Sequence, residues 1–259
     1  MPYTAPPPWR TVVLSPHFDD AVLSLAGLLP ELPGPVAVVT VHGGAPAAGT
    51  PISWWDGYCG FSSTAEAHTE RLAEDARACA LLGVAQIVLD HPDNPYAEDV
   101  ELAGLEAFLR ELAPGTRVLV PLSTRQRDHR TVRLRALSVL ADLGAPLPWV
   151  YADLPYTGHV PEWGTDDGCA ALAADIEVGT AYRELLRDHR LEVRAELTLS
   201  DAQWARKRAA VQCYGSQLAA LAVGHGSFLA RSGPLTTERI WSLEPLGSGE
   251  SAGSGDAPR

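Results

Sequence analysis

The sequence is poor in cysteine, in lysine and in long apolar runs. Its 4 cysteines are scattered and form no CxxC pair, which argues against a cysteine-based zinc site and against a dense disulfide framework. Lys207 is the only lysine, and the net charge is −12. Nonspecific nucleic-acid binding and binding to anionic membranes both need a basic surface, so we expect neither. No segment approaches about eighteen uninterrupted apolar residues, so we expect no membrane-spanning helix.

The length and composition suit one globular domain. A chain of 259 residues that is 46% hydrophobic can bury one large core. We expect a single domain over residues 11–246, with a core at 11–156 and a C-terminal elaboration at 157–246. A proline-rich lead-in occupies 1–10, and the Gly/Ser/Pro-rich residues 247–259 are expected to form a disordered tail. The lead-in has no apolar stretch like that of a secretory signal, so we expect a cytoplasmic protein. The sequence leaves the oligomeric state open, a homo-oligomer included.

Short apolar segments alternate with helical segments through the first 156 residues. The predicted strands are Thr11–Leu14, Val36–Val41, Ala85–Leu89, Arg117–Pro121 and Trp149–Tyr151, and the predicted helices are Ala21–Leu29, Thr64–Leu82, Val100–Leu112 and Thr131–Leu143. This alternation is typical of a parallel, doubly wound sheet. We therefore predict a Rossmann-like three-layer α/β fold with a mostly parallel sheet and a small C-terminal α+β elaboration. For that elaboration we predict a helix at Ala171–Arg190 that Val178-Gly179 weakens, a strand at Leu191–Leu199, a helix capped by Ser200 or Asp201 and ending at Gln212, and a strand at Glu238–Leu243.

The stretch Ser15–Asp20 is the most informative part of the chain. His17, Asp19 and Asp20 follow the first predicted strand directly, and the carboxyl ends of strands in open α/β sheets are where ligands bind. An imidazole beside two carboxylates is a suitable ligand set for a divalent metal ion. The alternative is that Asp19 or Asp20 simply caps the next helix. Capping would explain one aspartate but not the histidine and the second aspartate.

Other polar clusters follow other predicted strands. His42 ends the second strand, Asp93 follows the third, and Asp128-His129 follows the fourth. His42 fits a pocket residue or a turn residue equally well. A long aromatic-rich loop at 45–63 carries Trp54, Trp55, Tyr58 and Phe61. A loop of this kind either forms a wall over a pocket or packs as a small cluster beneath itself.

Two of these clusters resemble motifs of one enzyme family. Ser15-Pro-His-Phe-Asp-Asp20 resembles the first motif of the PIG-L/LmbE-like zinc N-deacetylases, and Asp128-His129 resembles the end of their second motif. Weaker resemblances extend the match to roughly residues 10–245 and comprise Arg71-x-x-Glu74 with Leu82-Gly83-Val84, Asp93, Asp153-Leu-Pro-Tyr156, and Lys207 to Gln217.

The resemblance implies a role for each matching residue. It implies that Zn²⁺ binds to His17, Asp20 and His129 and that Asp19 is the general base that acts on water. It also implies that Asp128 orients a neighbouring imidazole. Arg71 and Asp93 would hold hydroxyls of a sugar-like substrate. The chemistry agrees, because three N/O ligands with one open position are the pattern of catalytic zinc. A carboxylate that is not a ligand is free to accept the proton of water.

One position departs from the family pattern. Where the second motif often carries a histidine that stabilises the developing oxyanion, this chain has Gln126. An amide can donate a hydrogen bond to an oxyanion but cannot shuttle a proton. His159 or Tyr156 could then supply the acid, Gln126 could suffice at a reduced rate, or the activity could be changed or lost.

The predicted function is zinc-dependent removal of an N-acyl group, most simply acetyl, from an amino sugar or its conjugate. The alternatives are another divalent-metal hydrolase, such as a Mg²⁺ phosphoesterase using Asp19 and Asp20, and a non-catalytic sugar-binding relative. The sequence does not name the substrate. We expect His68, His189 and His225 on the surface and structural roles for Lys207 and Tyr214.

Overall fold

The computed structural model describes residues 8–97 and 100–246. The predicted lead-in is therefore described only from Pro8, and the predicted tail at 247–259 lies outside the described residues.

In the described part of the chain, seven strands form one sheet in the order β3-β2-β1-β4-β5-β7-β6. The first five strands are parallel, whereas β7 runs antiparallel to β5 and β6 antiparallel to β7. The predicted mostly parallel sheet is confirmed. The strands are β1 (Thr11–Ser15), β2 (Val36–Thr40), β3 (Ala85–Val88), β4 (Arg117–Pro121), β5 (Trp149–Tyr151), β6 (His189–Thr198) and β7 (Thr237–Pro245). The chain turns to opposite sides of the sheet after β1 and after β4, so their carboxyl ends flank a crevice.

Helices cover both faces of the sheet. One buried apolar cluster joins the sheet to α4, α5, α6 and α7, and the other joins it to α1, α3 and α8. This gives the predicted three layers. The helices are α1 (Asp20–Leu25), α2 (Trp54–Tyr58), α3 (Thr64–Leu82), α4 (Ala103–Arg110), α5 (Arg127–Asp142), α6 (Gly168–Ala174), α7 (Thr180–Asp188), α8 (Asp201–Val211) and α9 (Gly215–His225), with short 3₁₀ turns at Leu29–Glu31 and Thr157–His159.

Helix α3 has the predicted bounds because strong local signals lie at both ends. The Ser63 side chain accepts a hydrogen bond from the backbone N–H of Glu66 at the first turn. At the other end Gly83 takes the left-handed conformation, with φ of 70°, which a glycine adopts without steric cost.

Two helix boundaries near the sheet edge differ from the prediction. Helix α1 ends at Leu25 instead of Leu29, because the backbone N–H groups of Gly27 and Leu28 donate to the buried carboxylate of Glu238 rather than continuing the helix. Helix α5 begins at Arg127 instead of Thr131. Its first turn therefore carries two predicted site residues, Asp128 and His129.

The predicted helix at Ala171–Arg190 is two helices. The Asp175 side chain accepts from the backbone N–H groups of Glu177 and Val178, which closes a turn between α6 and α7. At Gly179 a β-carbon would collide with the carbonyl oxygen of Leu172. The weakened helix pattern at Val178-Gly179 therefore marks a break between two helices. Strands β6 and β7 extend the main sheet, so the C-terminal elaboration continues the core. None of the described helices combines the length and the apolar character needed to span a bilayer.

Candidate metal centre and active site

The turn after β1 is shaped by its own side chains. The Ser15 hydroxyl donates to the carbonyl oxygen of His17 at 2.6 Å and accepts from the N–H of Ala21 at 3.0 Å. The backbone N–H of His17 donates to Asp20 Oδ2 at 2.8 Å. These bonds fold the chain back at the carboxyl end of the strand. They point the His17 and Asp20 side chains into the crevice between β1 and β4.

The three predicted metal ligands come together there. Asp20 Oδ2 lies 3.1 Å from His17 Nδ1 and 3.1 Å from His129 Nε2, and the ligand atoms of all three residues lie within 4.8 Å of one another. Ligand atoms around a tetrahedral zinc ion are about 3.3 Å apart for bonds near 2.0 Å. Two imidazoles and one carboxylate at these separations therefore fit a zinc ion.

The charges of the cluster also favour a cation. Burial disfavours the charged form of both imidazoles, but nearby carboxylates outweigh it. Asp93, Asp128 and Asp20 hold the pKa of His17 well above its ordinary value, and Asp20 with Asp153 raises the pKa of His129 to about 9. Burial alone would raise the pKa of Asp20, but the two imidazoles hold it well below its usual range. The cluster thus keeps its carboxylates ionised and stabilises positive charge between them.

The second nitrogen of His17 faces two further carboxylates. Nε2 lies 3.2 Å from Asp93 Oδ1 and 3.2 Å from Asp128 Oδ2. These three residues also form a group that could hold an ion. The His17, Asp20 and His129 group is the better candidate, because metal-binding histidines commonly donate their other ring N–H to a carboxylate. The position of Asp128 beside His17 Nε2 suits a carboxylate that orients the His17 imidazole. Asp93, predicted as a sugar contact, lies beside it and also borders the cavity.

Asp153 is a site residue for which the sequence analysis stated no role. Its Oδ2 lies 3.5 Å from His129 Nδ1 and accepts from the backbone N–H of Thr124 at 2.5 Å. The available signal was an acidic residue directly after β5, the strand next to β4. The same carboxylate steadies the β4–α5 loop, where Ser123 and Arg125 take left-handed conformations with φ of 75° and 64°. Such non-glycine positions persist only where surrounding contacts hold them.

Replacing Asp153 by asparagine is expected to weaken zinc binding by about 10–100-fold. The amide keeps an oxygen for the Thr124 N–H but no longer favours a proton on His129 Nδ1, so Nε2 is presented less well to the ion. Competition with a chromogenic chelator measures the affinity. Asp175→Asn, at a turn between α6 and α7, is the matched control. An unchanged affinity in Asp153→Asn would show that Asp153 does not orient His129.

Asp19 borders the cavity beside the ligand group. It is the residue before α1, yet its side chain makes no capping hydrogen bond. The capping alternative therefore does not account for this carboxylate. Burial, reinforced by the neighbouring Asp20, raises the pKa of Asp19 to about 7.

Gln126 precedes α5 and borders the same cavity. Its amide Nε2 donates to the Tyr156 hydroxyl at 2.7 Å. The Tyr156 ring meets the His129 ring edge-on, with centroids 6.3 Å apart. His159, the other acid considered, is exposed and its Nε2 lies 3.0 Å from His225 Nδ1.

His17, Asp19 and Asp20 line a cavity of about 810 Å³. Residues of the aromatic loop form one wall, with Trp54 and Trp55 packed edge to face at 5.6 Å. Trp55 Nε1 donates to Gln217 Oε1 at 3.1 Å, which ties the loop to α9. Phe61 instead packs beneath Arg71, whose guanidinium carbon is 5.6 Å from the ring centre. Part of the loop therefore forms a wall of the cavity, and part of it packs beneath the loop, as the two interpretations proposed.

Arg71, predicted as a substrate contact, is already engaged. It forms an ion pair with Asp56 of the aromatic loop, and Asp56 also accepts from the Tyr96 hydroxyl. Arg71 still borders the cavity. It therefore ties the aromatic loop to α3 while bordering the cavity.

Two histidines expected on the surface border the cavity instead. They are His68 on α3 and His225 on α9. Their positions depend on which helix faces turn towards the crevice, and the residue pattern of a single helix does not contain that information. His42 also borders the cavity and is buried, with Nδ1 2.8 Å from the carbonyl oxygen of Pro92.

Comparisons with known proteins agree with this architecture. The structure of A40926 pseudoaglycone deacetylase Dbv21 matches with a TM-score of 0.69 and 24% identity over 93% of this chain and 100% of that one. The zinc-inhibited form of teicoplanin deacetylase Orf2 matches with a TM-score of 0.69 and 20% identity over 92% of this chain and 99% of that one. GalB, the 4-carboxy-2-hydroxymuconate hydratase of Pseudomonas putida KT2440, matches with a TM-score of 0.56 and 17% identity over 94% of this chain and 100% of that one. At these identities the likeness shows the fold, which is shared by deacetylases and a hydratase.

Sequence comparison identifies the family. No curated protein sequence gives a significant match. The family described as PIG-L, GlcNAc-PI de-N-acetylase, matches residues 12–140, which include all three residues of the candidate zinc site. The chain belongs to the PIG-L family.

Proposed function

We propose that the protein is a zinc-dependent N-deacetylase that hydrolyses the acetamido group of an amino-sugar conjugate. The observation that carries the proposal is the group formed by His17, Asp20 and His129, with the carboxylate of Asp19 outside that group and bordering a large cavity together with His17 and Asp20. These are the parts that metal-assisted amide hydrolysis needs: a set of ligands with an open side, a base and room for the substrate.

The ligand types favour zinc over magnesium. Two of the three donors are imidazole nitrogens, which suit Zn²⁺, whereas Mg²⁺ prefers oxygen ligands. A Mg²⁺ phosphoesterase is therefore the weaker alternative. When bound, zinc would act as a Lewis acid on the amide carbonyl and lower the pKa of water towards about 7.

The protein's own side chains carry the proton and orient the metal ligands. Asp19 accepts a proton from the attacking water and can return it to the nitrogen of the leaving amine. The second proton of the water also ends on that nitrogen, so that one water and one amide become a carboxylate and a protonated amine. Asp128 and Asp93 hold the orientation of His17, and Asp153 holds that of His129. Gln126 is one of the groups considered for the developing oxyanion, and one N–H of its amide donates to the Tyr156 hydroxyl.

The cavity indicates a substrate larger than a free hexosamine. Its volume of about 810 Å³ lies in the upper part of the range for drug-sized ligands. Trp54 and Val223, which border it, are 75% and 73% exposed, so part of the cavity's outer lining is apolar. The two similar deacetylases are described as acting on A40926 pseudoaglycone and teicoplanin. We infer that the amino sugar of the substrate is attached to a large aromatic or apolar aglycone.

The test combines metal analysis with a substrate panel. The purified protein is expected to contain about one zinc ion per chain and to release free amine from N-acetyl-hexosaminides. Glycosides with aryl or longer apolar aglycones are expected to react with a lower KM than the free sugars. Zinc without amine release from any substrate would favour a non-catalytic sugar-binding protein. Mg²⁺-dependent release of phosphate from phosphate esters would favour a phosphoesterase.

Zinc affinity is expected to rise with pH between about 6 and 9. The pKa of His129 is about 9 and that of His17 is raised, so both imidazoles of the metal-free site are largely protonated at pH 7. A metal ion must displace these protons, which predicts release of about two protons per ion near neutral pH. Calorimetry in buffers of different ionisation enthalpy measures that number. Binding without proton release would contradict the assignment of these ligands.

A further inference from the structure

We propose that Tyr156 donates the hydrogen bond that stabilises the substrate's amide oxygen as it becomes an oxyanion, and that Gln126 positions Tyr156 for this task. The inference rests on the proposed function, and it replaces Gln126 as the direct donor. Tyr156 would be the catalytic residue, and Gln126 would act through it.

The hydrogen bond between the two side chains has a direction. Gln126 Nε2 donates to the Tyr156 hydroxyl oxygen at 2.7 Å. An amide nitrogen has no lone pair to offer, so the tyrosine oxygen is the acceptor and its own proton remains free for another partner. Among the described residues, no acceptor for that proton is found. A neutral donor that is oriented but not satisfied is what an oxyanion site requires.

The hydroxyl lies in the right part of the cavity. Tyr156 and Gln126 border the same space as His17, Asp19 and Asp20. The Tyr156 phenol is close enough to Asp20, Asp19 and His17 for their charges to act on it, and its burial raises its pKa. The group therefore stays protonated at neutral pH and can donate without losing its proton.

The backbone around Tyr156 is held by the same residues that orient the metal ligands. The Thr157 N–H donates to the carbonyl oxygen of Asp153 at 2.8 Å, and the Thr157 hydroxyl lies 3.0 Å from that of Thr124. Asp153 in turn faces His129. The donor and the metal site are thus fixed relative to each other, which is how a preorganised site avoids reorganisation during the reaction.

The other candidate donor is less well placed. His159 is exposed and is not among the residues that border the cavity. Its ring stacks on that of His225, with centroids 5.3 Å apart, and His225 lies between it and Tyr156. Tyr156 is therefore better placed than His159 to donate to a group in the cavity.

Tyr156→Phe removes only the hydroxyl and is the direct test. We expect kcat to fall by about 10²–10³-fold, as for loss of one oxyanion donor, with little change in KM or zinc content. Binding of a methylphosphonamidate analogue, in which an anionic tetrahedral group replaces the acetamide, is expected to weaken by a similar factor. Tyr182→Phe removes a hydroxyl outside the cavity and should change neither value. A Tyr156→Phe protein with unchanged kcat and analogue affinity would overturn the proposal.

A double-mutant cycle separates positioning from direct donation. Gln126→Leu removes the amide group and so releases Tyr156, and kcat and analogue affinity should fall by a smaller factor than in Tyr156→Phe. Adding Gln126→Leu to Tyr156→Phe should then cost nothing further, because both changes act through one hydroxyl. Two independent, multiplying losses would show that Gln126 donates directly and would overturn its positioning role.

Failure of this inference can be told apart from failure of the proposed function. If the unaltered protein binds zinc but releases no amine from any acetamido sugar, the proposed function fails, and analogue binding by Tyr156→Phe still decides the role of Tyr156. If the unaltered protein turns over and Tyr156→Phe matches it, only the inference fails. If the unaltered protein binds no analogue, both fail.

Discussion

Replacing Asp19 by asparagine is expected to lower kcat by about 10²–10⁴-fold while the protein keeps its full zinc content. The substitution preserves the size and shape of the side chain and removes only its ability to accept a proton. We expect KM to change little, because an amide can still accept or donate a hydrogen bond to the substrate. Steady-state kinetics and metal analysis of the same preparation measure both quantities.

The geometry of the turn explains why Asp19 and Asp20 should behave differently. Asp20 accepts from the backbone N–H of His17 and lies 3.1 Å from each imidazole, so its carboxylate belongs to the ligand group. Asp19 is outside that group but borders the cavity. Its pKa of about 7, raised by burial and by Asp20, gives it an affinity for protons suited to a base near neutral pH.

Asp20→Asn is the matched control, since it makes the same chemical change one residue along. We expect this protein to lose most of its zinc, because an amide is a poor replacement for the carboxylate ligand. A metal-bound but inactive Asp19→Asn beside a metal-poor Asp20→Asn would support the division of roles. An Asp19→Asn protein with normal kcat would make the base assignment wrong, whatever the metal content.

The parts of the fold and site that could be predicted were those with local signals. Helix α3 has Ser63 at one end and Gly83 at the other, and both act within one turn of the chain. The carboxyl ends of parallel strands lie together at one sheet edge, so His17 after β1 and His129 after β4 could be expected to meet. The structure places them with ring centroids 5.4 Å apart.

The features that were missed depend on contacts between distant segments. Asp153 lies beside His129 only because β5 lies beside β4. Helix α1 ends early because Glu238, about two hundred residues later, accepts its N–H groups. Arg71 is engaged by Asp56 because the aromatic loop folds back over α3. Hydrophobic periodicity reports which face of an element is buried but not which element covers it.

Replacing Lys207 by methionine is expected to lower the free energy of unfolding by about 3–5 kcal/mol. Lys207 and Glu238 are both fully buried, and Lys207 Nζ lies 2.8 Å from Glu238 Oε1. Burial lowers the pKa of Lys207, while the charge of Glu238 opposes that shift. Methionine fills much of the same space but leaves the carboxylate buried without a cation. For a chain of this size the loss corresponds to a fall in Tm of about 6–20 °C.

The double replacement Lys207→Met with Glu238→Gln separates the lost pair from lost packing. It removes the buried negative charge while an amide oxygen remains for one of the N–H groups of Gly27 and Leu28, which bond to different oxygens of Glu238. It should therefore recover part of the stability lost in Lys207→Met. Thermal and urea unfolding measure the difference. If the double replacement is no more stable than Lys207→Met, the loss comes from packing and the ion pair contributes little. Because Glu238 anchors the end of α1, whose first residue is the proposed ligand Asp20, we expect zinc to stabilise Lys207→Met less than it stabilises the unaltered protein. An equal gain in Tm on adding zinc would show that the pair supports the fold without supporting the metal site.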